Sequence, residues 1–167
     1  VKVTIDEEQG LAERYGIGRE QQDRFALRSH ERAVEATESG RFGDEIVAIE
    51  TPRNGAEPVL VETDEGPRPD TSLEVLAKLR PAFRDGGTVT AGNASTLNDG
   101  AACLVLASED AASELRAEAL GRVVSIGGAG VDRTYMSMGP ARAVPRALEA
   151  AGLGIDDIEL IEINEAF

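Results

Sequence analysis

Two spacings of hydrophobic residues alternate along this chain, and each predicts a different kind of element. Apolar residues at helical spacing, bounded by capping residues and glycines, predict helices. These helices cover residues 6–15, 19–39, 73–79, 108–120 and 140–151. The third begins at Thr71-Ser72-Leu73-Glu74, which has the spacing of a capping box, and Gly152 is placed to end the last.

Shorter apolar runs rich in Val, Ile and Leu predict strands. They lie at residues 45–50, 59–61, 102–107, 121–126 and 160–163. We interpret the chain as an α/β protein, in which ligands and catalytic groups gather at the carboxyl ends of strands. The last predicted strand leads directly into Asn164-Glu165-Ala166-Phe167, so we expect this chain to be a piece of a larger enzyme.

Residues 88–102 combine glycines with small polar residues and contain no long charged side chain. Gly92 permits close approach of the backbone to another group, and Asn93 and Ser95 supply hydrogen-bonding groups with little bulk. This composition suits a loop that holds a ligand between two buried strands. A tight turn whose amides bond their own backbone explains the same residues. The pattern leaves both interpretations open.

The charge balance narrows the range of partners. The chain has 31 acidic and 17 basic residues, a formal net charge of −14, so nucleic acid and anionic membranes are poor partners. An acidic surface with only Lys2 and Lys78 as lysines suits a salt-rich cytoplasm, and a codon bias toward arginine explains the few lysines equally. No apolar run approaches the roughly 20 residues that cross a bilayer. We expect a cytoplasmic protein.

The remaining chemically distinctive residues do not form a site by themselves. One cysteine and one histidine make no convincing metal centre. We interpret Cys103, in an apolar predicted strand, as a buried structural thiol, and His30, in a charged stretch of helix, as a solvated or capping group. Gly127-Gly128-Ala129-Gly130 fails as a dinucleotide fingerprint because Arg133 occupies the position of the third glycine.

Several motifs taken together resemble the thiolase family, the acyl-CoA acetyl- and acyltransferases. The most specific are Asn164-Glu165-Ala166-Phe167, Thr90-Ala91-Gly92-Asn93-Ala94-Ser95 and Asn98-Asp99-Gly100-Ala101-Ala102. Supporting stretches are Gln22-Asp23-Arg24-Phe25-Ala26, Gly40-Arg41-Phe42, Lys78-Leu79-Arg80-Pro81-Ala82-Phe83 and Gly130-Val131-Asp132. Each motif is weak alone, but their common order along nearly the whole chain is specific.

The resemblance implies an α/β fold made of thiolase-like layered βαβ core pieces plus an α+β loop domain, and an incomplete one. Residues 1–87 resemble most of the loop domain that covers the coenzyme A site. Residues 88–118 resemble the end of the first core domain, and residues 119–167 the start of the second. Family members are usually homodimers or homotetramers.

The resemblance also implies the chemistry, which is reversible Claisen condensation or thiolysis of 3-oxoacyl-CoA through an acyl-cysteine intermediate. Asn164 matches the family asparagine that holds a catalytic water in an oxyanion hole. Acyl-CoA and coenzyme A are substrates, with no permanently bound cofactor and no metal. The residues implied to line the coenzyme A and acyl pocket, with Ser95 bonding the pantetheine, are Arg68, Phe83, Ser95, Leu97, Met136 and Phe167.

The reactive residues of the family fall outside this sequence. The nucleophilic cysteine precedes residue 1, and the Gly-His-Pro and Cys-Gly-Gly-Gly motifs follow residue 167. We therefore predict no thiolysis by this chain alone. Two hypotheses follow. In the first, the chain is a segment of an acyl-CoA thiolase, either truncated or one half of a split enzyme that works with a complementary chain. In the second, it is a non-catalytic coenzyme-A-binding or assembly subunit that has lost the reactive residues.

Overall fold

The computed structural model describes residues 10–167. The elements are helix α1 (Arg19–Glu38), strands β1 (Ile49–Arg53) and β2 (Ala56–Val61), helices α2 (Leu73–Lys78) and α3 (Glu109–Glu114), a 3₁₀ segment (Arg133–Met138), helix α4 (Gly139–Ala151) and a 3₁₀ turn (Ile155–Asp157). Residues 10–15 are helical, and the rest of the predicted first helix lies outside the described range. Within the part of the chain that the structure describes, no helix is long and apolar enough to cross a membrane.

Helix α1 confirms the helix predicted over residues 19–39. The Gln21 side chain accepts a hydrogen bond from the Gly18 N–H at 2.9 Å, which satisfies one of the free amides at the start of the helix. Gly40 adopts a φ of +75° just beyond the last turn, a conformation that glycine takes without steric cost. One face of α1 buries Asp23 and Ala26. This face carries the contacts that matter for the site.

Strands β1 and β2 form an antiparallel hairpin, with Ile49 opposite Val61 and Glu50 opposite Leu60. The strand predicted over 59–61 is confirmed within β2. The strand predicted over 45–50 is wrong in its bounds, because the observed strand begins only at Ile49, where hydrogen-bond partners on β2 become available. Gly55 makes the turn with a φ of +75°.

Helix α2 confirms the prediction over residues 73–79, although its cap is one residue later than expected. Ser72 is the N-cap: its Oγ accepts a hydrogen bond from the Val75 N–H at 3.3 Å and donates to Glu74 Oε2 at 2.7 Å. The hydrogen bond from Ser72 lowers the pKa of Glu74. Leu76, on the inner face of α2, is almost completely buried.

The apolar segments predicted as strands at 102–107, 121–126 and 160–163 are not strands in the structure. Their side chains are largely exposed, with Val105 at 92%, Ile126 at 84% and Leu160 at 87%. A strand requires a neighbour that accepts and donates its backbone hydrogen bonds. Among residues 10–167, β1 and β2 are the only strands that pair in this way. The helix predicted over 108–120 is also shorter, ending at Glu114.

Helix α4 confirms the last predicted helix and packs on the segment that precedes it in the chain. Ser125 Oγ donates to the Ala147 carbonyl oxygen at 2.6 Å, and Arg146 Nη1 donates to the Gly128 carbonyl oxygen at 2.7 Å. Gly152 ends the helix in the left-handed conformation, with a φ of +70°. These contacts hold residues 125–128 along one side of α4.

Candidate functional site

Asp23 is the buried centre of the polar contacts between helix α1 and the loop of residues 88–95. Its residue surface is 3% exposed. The carboxylate accepts hydrogen bonds from Arg19 Nε at 2.8 Å and from Asn93 Nδ2 at 3.0 Å. A buried carboxylate is costly unless it is paired and hydrogen-bonded, and here both conditions are met. The contact ties the loop to the helix at a defined point.

Asn93 also fixes the shape of the loop from within. Its Oδ1 accepts a hydrogen bond from the Thr90 N–H at 2.7 Å, and its Nδ2 donates to the Thr88 carbonyl oxygen at 2.9 Å. Thr90 is completely buried, and its Oγ1 accepts from the Gly92 N–H at 3.2 Å. For residues 88–93, therefore, the tight-turn interpretation holds, because these side chains bond their own backbone.

Gly92 makes room for helix α2 rather than for a ligand. A Cβ atom at this position would lie 2.6 Å from Leu79 Cδ1 and closer still to Leu76 Cδ2. The absence of a side chain lets the loop backbone lie directly on these leucines. Gly100 differs, since a Cβ there would meet nothing within 4 Å.

The loop brings Ser95 against the last residues of the chain. The Ser95 N–H donates to the Ala166 carbonyl oxygen at 2.9 Å. This bond joins two segments that are about 70 residues apart in sequence, and it places Ser95 beside the segment that carries Asn164 and Phe167. The Asn164 side chain is exposed, so it is open to a neighbouring group. Two of the motifs singled out by the sequence therefore meet.

A small open cavity lies between helix α1 and this terminal segment. Its volume is about 200 Å³, and it is lined by Phe25, Arg28, Ser29, Arg32 and Glu165. The Arg28 guanidinium lies over the Phe25 ring, 5.0 Å from its centroid, a distance typical of a cation–π contact. Two arginines one helical turn apart make this wall of the cavity basic in an otherwise acidic chain.

Arg68 lies at a second cavity, on the other side of helix α1. That cavity has a volume of about 260 Å³ and is lined by Leu27, Glu31, Val34, Glu35, Glu38, Arg68, Pro69 and Thr71. Arg68 donates two hydrogen bonds to the Asp70 carboxylate, at 3.1 and 3.2 Å. The pair raises the pKa of Arg68 and lowers the pKa of Asp70. The guanidinium is exposed and already paired.

His30 holds the start of the Arg68 loop. Its Nδ1 accepts a hydrogen bond from the Arg68 backbone N–H at 3.2 Å. This agrees with its interpretation as a capping group and connects helix α1 to a loop 38 residues later.

The other implied pocket residues lie on separate segments, each well exposed. Phe83 follows helix α2 and is 43% exposed, and Leu97, beyond the fixed part of the loop, is 90% exposed. Met136 lies in the 3₁₀ segment and is 48% exposed. A common pocket for Phe83, Leu97 and Met136 stays a prediction.

Asp132 caps the 3₁₀ segment that carries Met136. Its Oδ1 accepts hydrogen bonds from the Thr134 Oγ1–H at 2.6 Å and from the Thr134 N–H at 2.9 Å, and these bonds lower the pKa of Asp132.

Two further expectations concern the single cysteine and a metal. Cys103 is exposed, so the expectation of a buried thiol is wrong, for the same reason that residues 102–107 are not a strand. In the described residues 10–167, no group of three His, Cys, Asp or Glu side chains is arranged to hold a metal ion.

The pattern of hydrophobic and polar positions does not mark Asp23 as structurally important. An aspartate on a charged helix is usually solvated, and nothing in the periodicity marks this one as buried. The available signal was Arg19, one turn earlier on the same face, since a pair at i and i+4 can neutralise a buried charge. Its contact with Asn93, 70 residues away, has no local signature.

The comparisons with known proteins cover both halves of the chain. The family described as "Thiolase, N-terminal domain" matches residues 6–110, and "Thiolase, C-terminal domain" matches residues 117–167. An acetyl-CoA acetyltransferase of Pseudomonas aeruginosa is 51% identical over 159 residues, which are 95% of this chain and 40% of that protein. The chain thus spans about 40% of the length of the curated relatives that it matches.

Solved structures give the same result for the fold. The crystal structure of the Bacillus anthracis acetyl-CoA acetyltransferase matches with a TM-score of 0.86 and 48% identity, over 98% of this chain and 41% of that one. Human mitochondrial 3-ketoacyl-CoA thiolase in complex with CoA matches with a TM-score of 0.84 and 41% identity, over 98% of this chain and 40% of that one. The predicted α/β class and the predicted resemblance are confirmed, and the chain belongs to the thiolase family.

Proposed function

We propose that this chain supplies the coenzyme-A-facing loop and one oxyanion-stabilising side chain of an acyl-CoA thiolase. The reaction is the reversible Claisen condensation or thiolysis of 3-oxoacyl-CoA. In the condensation direction, a cysteine thiolate from outside residues 1–167 attacks the thioester of one acyl-CoA, and coenzyme A leaves as the thiolate. The cysteine carries the acyl group until the α-carbanion of a second acyl-CoA displaces it; thiolysis is the reverse. Acyl-CoA and coenzyme A act as substrates, and no permanently bound cofactor is needed.

The hydrogen bond from the Ser95 N–H to the Ala166 carbonyl oxygen carries this proposal. It brings together Ser95, which the family resemblance implies bonds the pantetheine tail, and a segment that presents an exposed asparagine. The asparagine amide donates hydrogen bonds without becoming charged at any working pH. Held by Asn164, a water molecule would donate to the thioester oxygen as negative charge develops there.

The same proposal assigns the other implied residues and the wider organisation. Arg68, Phe83, Leu97, Met136 and Phe167 line the coenzyme A and acyl pocket with Ser95. Residues 1–87 form the covering domain, and residues 88–118 and 119–167 belong to the two core domains. The complete enzyme works in the cytoplasm in fatty acid metabolism, as a homodimer or homotetramer or with a complementary chain. Support comes from the family membership and from the acetyl-CoA acetyltransferases among the relatives.

A chimera tests the proposal because the relatives are long enough to supply the missing residues. The 159 matched residues of the Pseudomonas aeruginosa relative are replaced by those of this chain, and thiolysis of acetoacetyl-CoA is measured. We expect an active chimera. Asn164→Ala in that chimera should lower kcat by about 10²–10³-fold, the usual loss when one oxyanion-stabilising donor is removed.

Asn54→Ala is the matched control, because Asn54 is an exposed residue in the turn of the β1–β2 hairpin. Its activity should stay within about twofold of the parent chimera. The isolated chain should show no thiolysis. An Asn164→Ala chimera with parental kcat would contradict the assigned role. A folded chimera that binds coenzyme A without turnover would favour a non-catalytic coenzyme-A-binding subunit instead.

A further inference from the structure

We propose that Asp23 is a positioning residue for acyl-CoA binding, acting through Asn93 to hold Ser95 against the segment of residues 164–167. This inference rests on the proposed function for the ligand that Ser95 meets. The contact that it assigns lies entirely within the described chain.

Three elements of the structure meet at the Asp23 carboxylate and its partner Arg19. Asp23 accepts from Arg19 and from Asn93. Arg19 in turn donates through Nη2 to the carbonyl oxygens of Leu76 and Leu79, the latter at 3.2 Å. Helix α1, the C-terminal end of helix α2 and the loop of residues 88–95 are thus fixed by one ion pair. Gly92 packs on the same two leucines.

Asn93 forms a short path of contacts from Asp23 to Ser95. Asn93 is bonded to Asp23, to the Thr88 carbonyl oxygen and to the Thr90 N–H. Its side chain therefore has little freedom, and Ser95 is only two residues further along. The bond from the Ser95 N–H to the Ala166 carbonyl oxygen requires a definite loop position. We infer that a substitution at Asp23 or Asn93 weakens this hydrogen bond before it weakens other contacts.

Stability alone does not explain the buried charge of Asp23. Replacing a buried ion pair with well-packed apolar residues is often neutral or stabilising. The Thr88 carbonyl oxygen and the Thr90 N–H already set the direction of the Asn93 amide. The Asp23 carboxylate accepts the remaining Nδ2 hydrogen and thereby ties the oriented amide, and the loop with it, to helix α1, which an apolar contact would not do.

Amide hydrogen exchange of Ser95 in the 167-residue chain tests the inference directly. Asn93→Asp places two carboxylates at the 3.0 Å contact, so Ser95 protection should fall by about tenfold or more. The reciprocal variant, Asp23→Asn with Asn93→Asp, returns one amide and one carboxylate to the contact. It should recover part of that loss, because the Thr88 carbonyl oxygen still lacks the donor that Asn93 supplies. Recovery by exchange of the two groups is a result that general destabilisation does not produce.

Glu20→Gln is the matched control. Glu20 forms an exposed ion pair with Arg24 on the same helix, also at i and i+4, but it does not touch the loop. Ser95 protection should be unchanged in this variant. Thermal unfolding of each variant is measured alongside, and the exchange is recorded well below its midpoint. Unchanged Ser95 protection in Asn93→Asp, or no recovery in the reciprocal variant, would overturn the proposal. If Asn93→Asp does not fold, the same criterion applies to Asp23→Asn, for which we expect a loss of about threefold.

Kinetics in the chimera separate this inference from the proposed function. Asn93→Asp should raise KM for acetoacetyl-CoA by about tenfold and change kcat far less, because the loop positions the substrate, whereas the cysteine thiolate and Asn164 act on the reacting carbonyl. A tenfold decrease in kcat with no change in KM would contradict a positioning role. An inactive parental chimera would refute the proposed function, while the Ser95 exchange measurement would still decide the role of Asp23.

Discussion

At the level of single residues, Gly127 is a glycine at which two backbones come into close contact. A Cβ there would lie 2.7 Å from the Ala147 backbone N and closer still to the Ala143 carbonyl oxygen. Both atoms belong to helix α4, whose backbone cannot move aside without breaking its own hydrogen bonds. Helix packing thus explains Gly127, in keeping with the absence of a dinucleotide fingerprint.

Gly127→Ala should destabilise the chain by about 1–3 kcal/mol, the usual range for overpacking at a close contact. The urea unfolding midpoint at constant m-value measures the effect. Gly128→Ala is the control, because a Cβ at this neighbouring position would meet nothing within 4 Å. It should change the stability by less than about 0.5 kcal/mol. Equal effects of the two substitutions would show that helix α4 does not pack on Gly127.

At the level of elements, the beginning of helix α2 shows how a short helix depends on its cap. Ser72→Ala removes the acceptor for the Val75 N–H and the donor to Glu74. We expect a loss of about 1 kcal/mol, measured by urea unfolding. Thr71→Ala is the matched control, since Thr71 is the first residue of the capping-box pattern but is not the observed cap. A larger loss from Thr71→Ala than from Ser72→Ala would contradict this assignment.

Helices were predicted better than strands because the information that makes a helix is local. The bounds of α1, α2 and α4 follow from spacing, caps and glycines within each segment. The predicted strands at 102–107, 121–126 and 160–163 have the right composition, but a strand also needs a partner. Among the described residues these segments have no paired neighbour strand. Only the β1–β2 hairpin, whose partners are adjacent in sequence, was found from the pattern.

The segments of the candidate site were predicted from local sequence, but the contact between them was not. The unusual composition of residues 88–102 and the motif at 164–167 marked both segments, and the structure joins them through Ser95 and Ala166. That meeting could not be read from periodicity, since it links distant segments. The buried Asp23 was missed, because a single aspartate among charged helix residues has no pattern that distinguishes burial from solvation.

At the level of the whole molecule, two opposing properties of the surface determine whether copies of the chain associate in solution. Apolar side chains in the unpaired segments are widely exposed, among them Leu104, Val105, Leu106, Ile126 and Leu160. Exposed apolar patches of this kind favour association. The net charge of −14 opposes it through mutual repulsion. The balance between the two depends on ionic strength, because salt weakens repulsion and leaves apolar attraction intact.

Repulsion within the chain should make its stability rise with salt. Acidic residues outnumber basic ones by 31 to 17, so repulsive pairs outnumber exposed ion pairs such as Arg24–Glu20. We expect the midpoint temperature of thermal unfolding to increase as the KCl concentration is raised from about 0.05 M to about 1 M. At about 1 M the screening length falls to about 3 Å. Most of the rise should occur below about 0.5 M, since screening saturates as the screening length approaches the spacing of charges. A midpoint that falls with added salt would show that ion pairs dominate instead.

A variant of helix α1 locates part of this repulsion. Glu31, Glu35 and Glu38 line the same cavity, on one face of the helix, at spacings of four and three residues. Like charges at these spacings destabilise a helix by roughly 0.2–0.5 kcal/mol per pair. Replacing all three by glutamine should therefore raise the midpoint at low salt and flatten its dependence on KCl. If the midpoint of the triple variant depended on KCl as strongly as that of the parent chain, the three carboxylates would not contribute to the repulsion that salt screens. The repulsion would then have to come from charges elsewhere on the surface.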